Sequence, residues 1–217
     1  MGLPNRGQGK RGTCSVFALI GGLEYALAKL TGETQRLSVE YLNWAAHRAI
    51  DRDIDGGFFS ELWIGWETSG VCSEALLPYA NVFDNLLTPP ELAIASAAAN
   101  RTCALKMEWI KEWNPDTGLS TDQFHRMNTV LASGYQVPTG LRWPKSALWN
   151  DGTLEYCSPD AVFDGHSILI IGYRDDDALP GGGVFLIRNS GGEGSDGCLT
   201  YRYVNEYTND AVWIHPG

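Results

Sequence analysis

The feature that most constrains the fold is a change of hydrophobic period near the middle of the chain. Before Cys103 apolar residues recur at helical spacing. After it they alternate, or run in short stretches bounded by turn residues. Residues 14–30 put Phe17, Ile20, Leu23, Leu27 and Leu30 on one stripe, and Gly32 marks an end. Gly21-Gly22 weakens this helix but leaves room for another element to pack closely. Ser38 is placed to cap a second helix to about Ile50, and Ser60 a third that stops before Gly70. Pro89-Pro90 leads into an alanine-rich helix over 91–100. Beyond Cys103, strands are expected at 104–109, 135–143, 166–173, 184–188 and 199–204. A helix is expected at 121–132, and a solvated hairpin loop at 175–183. Trp44, Trp63 and Trp66 read as core or lobe-interface residues. The chain is therefore expected to be α+β, with a helical lobe at 1–102 and a strand-rich lobe at 103–217.

Two segments at opposite ends carry chemistry. Near the start, Gln8 stands six residues before Cys14, and Cys14 opens the first helix-like stretch. A helix N-terminus raises the local positive potential, which favours the thiolate, the nucleophilic form of cysteine. Far downstream, Asp164-Gly165-His166 heads one apolar strand, and Arg188-Asn189-Ser190-Gly191 ends the next. Cysteine and histidine together suit nucleophilic catalysis, and an asparagine can fix the histidine tautomer.

In the order glutamine, cysteine, histidine, asparagine, and in the separations between them, the chain resembles the papain-like cysteine peptidases. The resemblance implies a two-lobe fold, with an N-terminal helical lobe and a C-terminal antiparallel β-barrel-like lobe. Cys14 would attack the peptide carbonyl, paired with His166 as an imidazolium. Asn189 would accept a hydrogen bond from the imidazole, and Gln8 would donate to the oxyanion. Gly56 and Gly57 resemble the glycine pair that docks an extended peptide, with Phe58 and Phe59 after them and Gly165 before the histidine. These imply a preference for an apolar or aromatic residue two before the scissile bond. No cofactor or metal is implied, the partner is a peptide or protein, and a monomer is expected.

The chain also departs from that pattern. Ser15 follows the cysteine where relatives carry an aromatic residue. Gly191 stands where they carry a tryptophan that shields the asparagine–histidine hydrogen bond. Arg11 replaces a cysteine that bridges to the loop near Asp55, and reads as solvated surface charge or as a bias toward thiolate or acidic substrate. These departures keep open a catalytically weak or inactive peptide-binding module. Among active enzymes, the endopeptidase stands beside exopeptidase and transpeptidase alternatives, with the segment after Tyr173 or 143–164 as a possible plug of the cleft.

Composition narrows the rest. A formal net charge of −10 argues against nucleic acid and anionic membranes as partners. No run is expected to reach membrane-spanning length, and no signal segment precedes the cysteine motif. No inhibitory pro-segment is expected ahead of Gln8, as in a trimmed form or a protein made without one. Cys72, Cys103, Cys157 and Cys198 permit two disulfides of a secreted mature protein, or free thiols of a cytoplasmic one.

Overall fold

The computed structural model describes residues 2–217. The helical period of the first half becomes α1 (Cys14–Thr31), α2 (Val39–Ile50), α3 (Phe59–Ser69) and α4 (Glu91–Arg101). Local chemistry sets their ends. Ser38 Oγ accepts the Tyr41 N–H at the start of α2. Gly32 closes α1 in the left-handed conformation. The expected Ser60 cap is displaced: Phe58 is the N-cap of α3, and its N–H donates to the Glu61 carboxylate.

The second half comprises β1 (Leu105–Lys111), α5 (Thr121–Ala132), β2 (Val137–Pro144), β3 (Trp149–Asn150), β4 (Thr153–Leu154), β5 (Val162–Asp175), β6 (Gly183–Arg188), β7 (Gly197–Thr200), α6 (Tyr201–Tyr207) and β8 (Thr208–Pro216). They form one eight-stranded sheet in the order β1-β8-β2-β5-β6-β7-β4-β3. Among the described residues only the β4–β7 pair is parallel. The strand expected over 199–204 is corrected. Thr200 ends β7, and its side chain accepts the Tyr203 N–H, which starts α6. Tyr201, Tyr203, Val204 and Tyr207 are all buried there, at helical rather than alternating spacing.

Two apolar clusters result. One is built from α1 to α4 and receives Val212 and Ile214 of β8. The other joins the strands to α5 and α6. Helix α1 runs between them. A Cβ on Gly21 would stand 2.5 Å from Leu169 Cδ2, and one on Gly22 2.9 Å from Pro138 Cγ. The two glycines thus let α1 lie directly against β5 and β2.

α1 also corrects an expectation. By length and composition alone it is apolar enough to span a bilayer, but 61% of the span is buried inside the protein and it serves as a core helix. All five cysteines are free thiols.

Candidate active site

Cys14 is the first residue of the 18-residue helix α1. Thr13, before it, does not cap the helix; its hydroxyl is hydrogen-bonded instead to Tyr79 Oη at 2.6 Å. The positive end of the helix therefore faces the cleft without a side-chain acceptor. Cys14 is 9% exposed, and its thiol contacts the Gly165 carbonyl at 3.8 Å. Burial pushes the thiol pKa up, while hydrogen bonds from Ser167 and Ser15 pull it down.

His166 lies on β5, opposite Leu141 of β2. Its Nε2–H donates to Asn189 Oδ1 at 2.9 Å. Nδ1 has no hydrogen-bond partner among the described residues. Burial lowers the imidazole pKa, and the Asn189 hydrogen bond raises it. Each partner alone is thus driven toward its neutral form.

Asn189 and Gln8 are brought together by the N-terminal segment. Gln8 N–H donates to the Ser190 carbonyl at 2.8 Å, and Gly7 bridges Gly191. Ser190 Oγ donates to Gln8 Oε1, which fixes the amide so that Nε2 donates; one of its hydrogens goes to the Arg11 carbonyl at 2.8 Å. Asn5 Nδ2 and Ser195 Oγ both donate to the Asn189 carbonyl, at 2.6 and 2.7 Å.

Cys14, Gly57, Phe58, Phe59, Gly165 and His166 line one cavity of about 340 Å³. Gln8, Asn189 and Gly56 do not line it. Gly56 is engaged within its own loop: its N–H donates to Asn43 Oδ1 and its carbonyl meets His47 Nε2, both at 2.9 Å. Its φ of +87°, with Gly12 O only 2.2 Å from where a Cβ would stand, requires glycine. Of the glycine pair, Gly57 is the one whose backbone reaches the cavity. Phe59 is a core residue at 1% exposure, whereas Phe58 is 47% exposed and meets Trp113 edge-on at 5.6 Å. Trp113, Asn209 and Asp210, which also line the cavity, carry no local sequence motif.

Arg11 is not solvated surface charge. At 6% exposure it holds Asp55 with Nε and Nη2, at 2.9 and 2.8 Å, and reaches Glu40 and the Ala80 carbonyl with Nη1, at 2.5 and 2.7 Å. Its guanidinium lies over the Tyr79 ring at 4.6 Å. Burial alone would lower its pKa, but the Asp55 and Glu40 hydrogen bonds and charges outweigh that, so it stays protonated. An ion-pair network therefore ties the segment before Cys14 to the Gly56 loop.

The loop at Gly191 is tightly closed. A Cβ there would meet Ser195 Cβ at 2.7 Å, so the loop leaves no space for one. Trp143 of β2 meets the His166 ring edge-on, at 4.5 Å between centroids. Trp149 of β3 packs on Trp143 at 6.3 Å. Sequence reasoning missed this contact because it comes from a different strand.

No protein-family model matches the chain. Solved structures do. Xylellain, a cysteine protease from Xylella fastidiosa, superimposes with a TM-score of 0.76 at 19% identity, over 100% of this chain and 84% of that one. The clostridial cysteine protease Cwp84 gives 0.70 at 19% identity, over 99% of this chain and 56% of that one. Digestive procathepsin L 3 of the Tenebrio molitor larval midgut gives 0.65 at 15% identity, over 98% and 66%. At such identities the likeness is one of architecture: the chain has the papain-like fold of these cysteine proteases.

Proposed function

We propose that the protein is a cysteine-type endopeptidase working through an acyl-enzyme. One observation carries the reading: the thiol at the head of α1 and an imidazole oriented by Asn189 line the same cavity. Burial disfavours a charge on either group alone. Moving the Sγ proton to Nδ1 charges both at once, and their attraction in a poorly solvated cleft offsets the two penalties, aided by the α1 dipole.

The thiolate then attacks the substrate carbonyl carbon. Negative charge develops on the carbonyl oxygen, where the Cys14 N–H and the second Nε2 hydrogen of Gln8 donate; losing one such donor costs about a hundredfold to a thousandfold in rate. His166 gives its proton to the departing amine, leaving an acyl thioester on Cys14. It next takes a proton from water, which attacks the thioester, and returns that proton to sulfur as the acid leaves. Asn189 holds the ring throughout. Gly57 pairs with the extended peptide backbone, and Phe58 and Trp113 flank the side chain that enters the cavity.

Intact-mass labelling with an epoxysuccinyl peptide at mildly acidic pH tests this, beside Cys14→Ala. A free thiol has a pKa of about 8.5 and labels poorly there. A single adduct, absent from Cys14→Ala, is expected. No adduct on folded protein overturns the reading and leaves the peptide-binding module. Cleavage of an end-blocked peptide separates endopeptidase from exopeptidase action.

A further inference from the structure

Resting on that peptidase reading, we propose that Asn5 is a positioning residue: its side-chain amide staples the loop that follows Asn189 and so holds the Asn189 side chain against the His166 imidazole. Asn5 stands three residues before Gln8 and does not line the cavity of Cys14 and His166.

Asn189 needs an outside hold. The ladder between β5 and β6 ends at the Leu169–Arg188 pair, so Asn189 is the first residue beyond the sheet. The chain then runs through Gly191, Gly192 and Gly194, the last two at φ of +95° and +79°. Glycine has the most backbone freedom to lose on ordering, so a turn of this composition does not fix its own first residue. Yet Asn189 Oδ1 must stay at its 2.9 Å from His166 Nε2 if the ring is to keep its tautomer and direction.

The backbone contacts from Gly7 and Gln8 grip only the near end of the loop, at Gly191 and Ser190. Asn5 grips both ends. Its Nδ2 stands 2.6 Å from the Asn189 carbonyl, 3.0 Å from Ser195 Oγ and 2.8 Å from Asp196 Oδ1. Ser195 Oγ in turn reaches the Asn189 carbonyl at 2.7 Å and accepts the Gly191 N–H at 3.1 Å. The amide thus closes the loop on the residue that orients the imidazole.

Asn5 is itself anchored on the helical half. Its Oδ1 accepts the Arg6 N–H at 2.8 Å, which turns Nδ2 toward the loop. Arg6 donates to Glu24 and Glu74, both at 3.0 Å, and to the Leu37 carbonyl at 2.9 Å. Glu24 belongs to α1, the helix that Cys14 opens. One run of contacts therefore joins the imidazole, through Asn189, Asn5 and Arg6, to the helix that carries the thiol. Only an amide serves at position 5. The groups its Nδ2 faces are all oxygens, and a carboxylate there would repel Asp196 and give the Asn189 carbonyl no donor.

The test measures kcat and KM for one end-blocked peptide in the unmodified protein, Asn5→Ala and Asn5→Asp, and again with each change added to Asn189→Ala. Asn5→Ala is expected to lower kcat by about tenfold with KM moved by less than about twofold, because a misplaced imidazole harms the chemistry and not binding. Asn5→Asp keeps the shape and should lose at least as much; it carries the test should Asn5→Ala not fold. In the Asn189→Ala background either change should move kcat by less than about twofold, since no side chain is left to position. A merely structural role would lower the rate equally in both backgrounds. That result, or an Asn5→Asp protein as fast as the unmodified one, overturns the proposal. If the unmodified protein cuts no peptide, the peptidase reading fails separately. The proton resonance of His166 Nε2–H, assigned by its loss in His166→Gln, then decides: it should shift and broaden in both Asn5 variants, and an unchanged resonance overturns the proposal.

Discussion

The two walls of the cleft are held by different physics. On the helical side, buried charge holds the Gly56 loop: Arg11 joins Asp55, Glu40 and the Ala80 carbonyl. On the strand side, aromatic packing holds the His166 imidazole: Trp143 meets it edge-on, and Trp149 packs on Trp143. The difference teaches where each wall fails. A buried ion network fails globally, because removing one partner strands the others away from water. A packed ring fails locally, in the titration and orientation of the group it covers.

The sharpest break would come from Arg11→Ala. It leaves the carboxylates of Glu40 and Asp55 without their cation and should cost about 3–5 kcal/mol, read from the denaturant midpoint. A loss under about 0.5 kcal/mol would reduce the network to an ordinary surface ion pair, and the contrast between the walls would go with it.

Asp210→Asn should move the other way. Burial raises the Asp210 pKa from 3.8 to about 6, so the folded state holds this proton more tightly than the unfolded chain. The resulting stability is present below 3.8 and lost as pH rises through about 6. At pH 7 the buried charge is therefore a burden. Replacing it with amide should raise stability by roughly 1–3 kcal/mol at pH 7, with little gain at pH 4. Denaturant midpoints at the two pH values measure this; an equal effect at both would mean that packing, not charge, is at work.

Trp143→Leu sharpens the strand side. It should lower kcat/KM by about tenfold, as water reaches the His166–Asn189 hydrogen bond. Since burial holds the His166 pKa down, its apparent value in the pH–rate profile should move up. An unchanged profile would show that Trp143 packs there without governing the imidazole.

Gly191→Ala is the smallest change. Its Cβ meets Ser195, so it should cost about 1 kcal/mol with no gain in kcat/KM. A gain would mean that the shield is simply missing at Gly191 and has not moved to Trp143.

Much of this molecule is legible without coordinates. The helix at Val39–Ile50 follows from the Ser38 cap, and that at Thr121–Ala132 from a stretch that Gly134 stops, both short-range signals. Gly21-Gly22 announces a close approach but not its partner, which turns out to be Leu169 and Pro138. α6 escapes notice because its tyrosines suit a strand as well as a helix, and the Thr200 cap resolves the ambiguity. Gln8, Cys14, His166 and Asn189 stand out by type, order and local setting. Trp113, Trp143 and Asp210 do not, for each lies in an unremarkable stretch and reaches the cleft only through sheet pairing.

The sequence by itself determined the helical and strand-rich halves and the residue types able to do thiol chemistry, because helix caps, hydrophobic period and side-chain chemistry are local properties. Only the tertiary structure decided that Arg11 is buried, that Gly56 faces inward while Gly57 faces the cavity, and that a buried carboxylate, Asp210, lines it. Those outcomes depend on which distant segments exclude water from a given side chain. Burial is a property of the assembled chain: it leaves the same arginine solvated or locked, and the same aspartate freely ionised or held toward its neutral form.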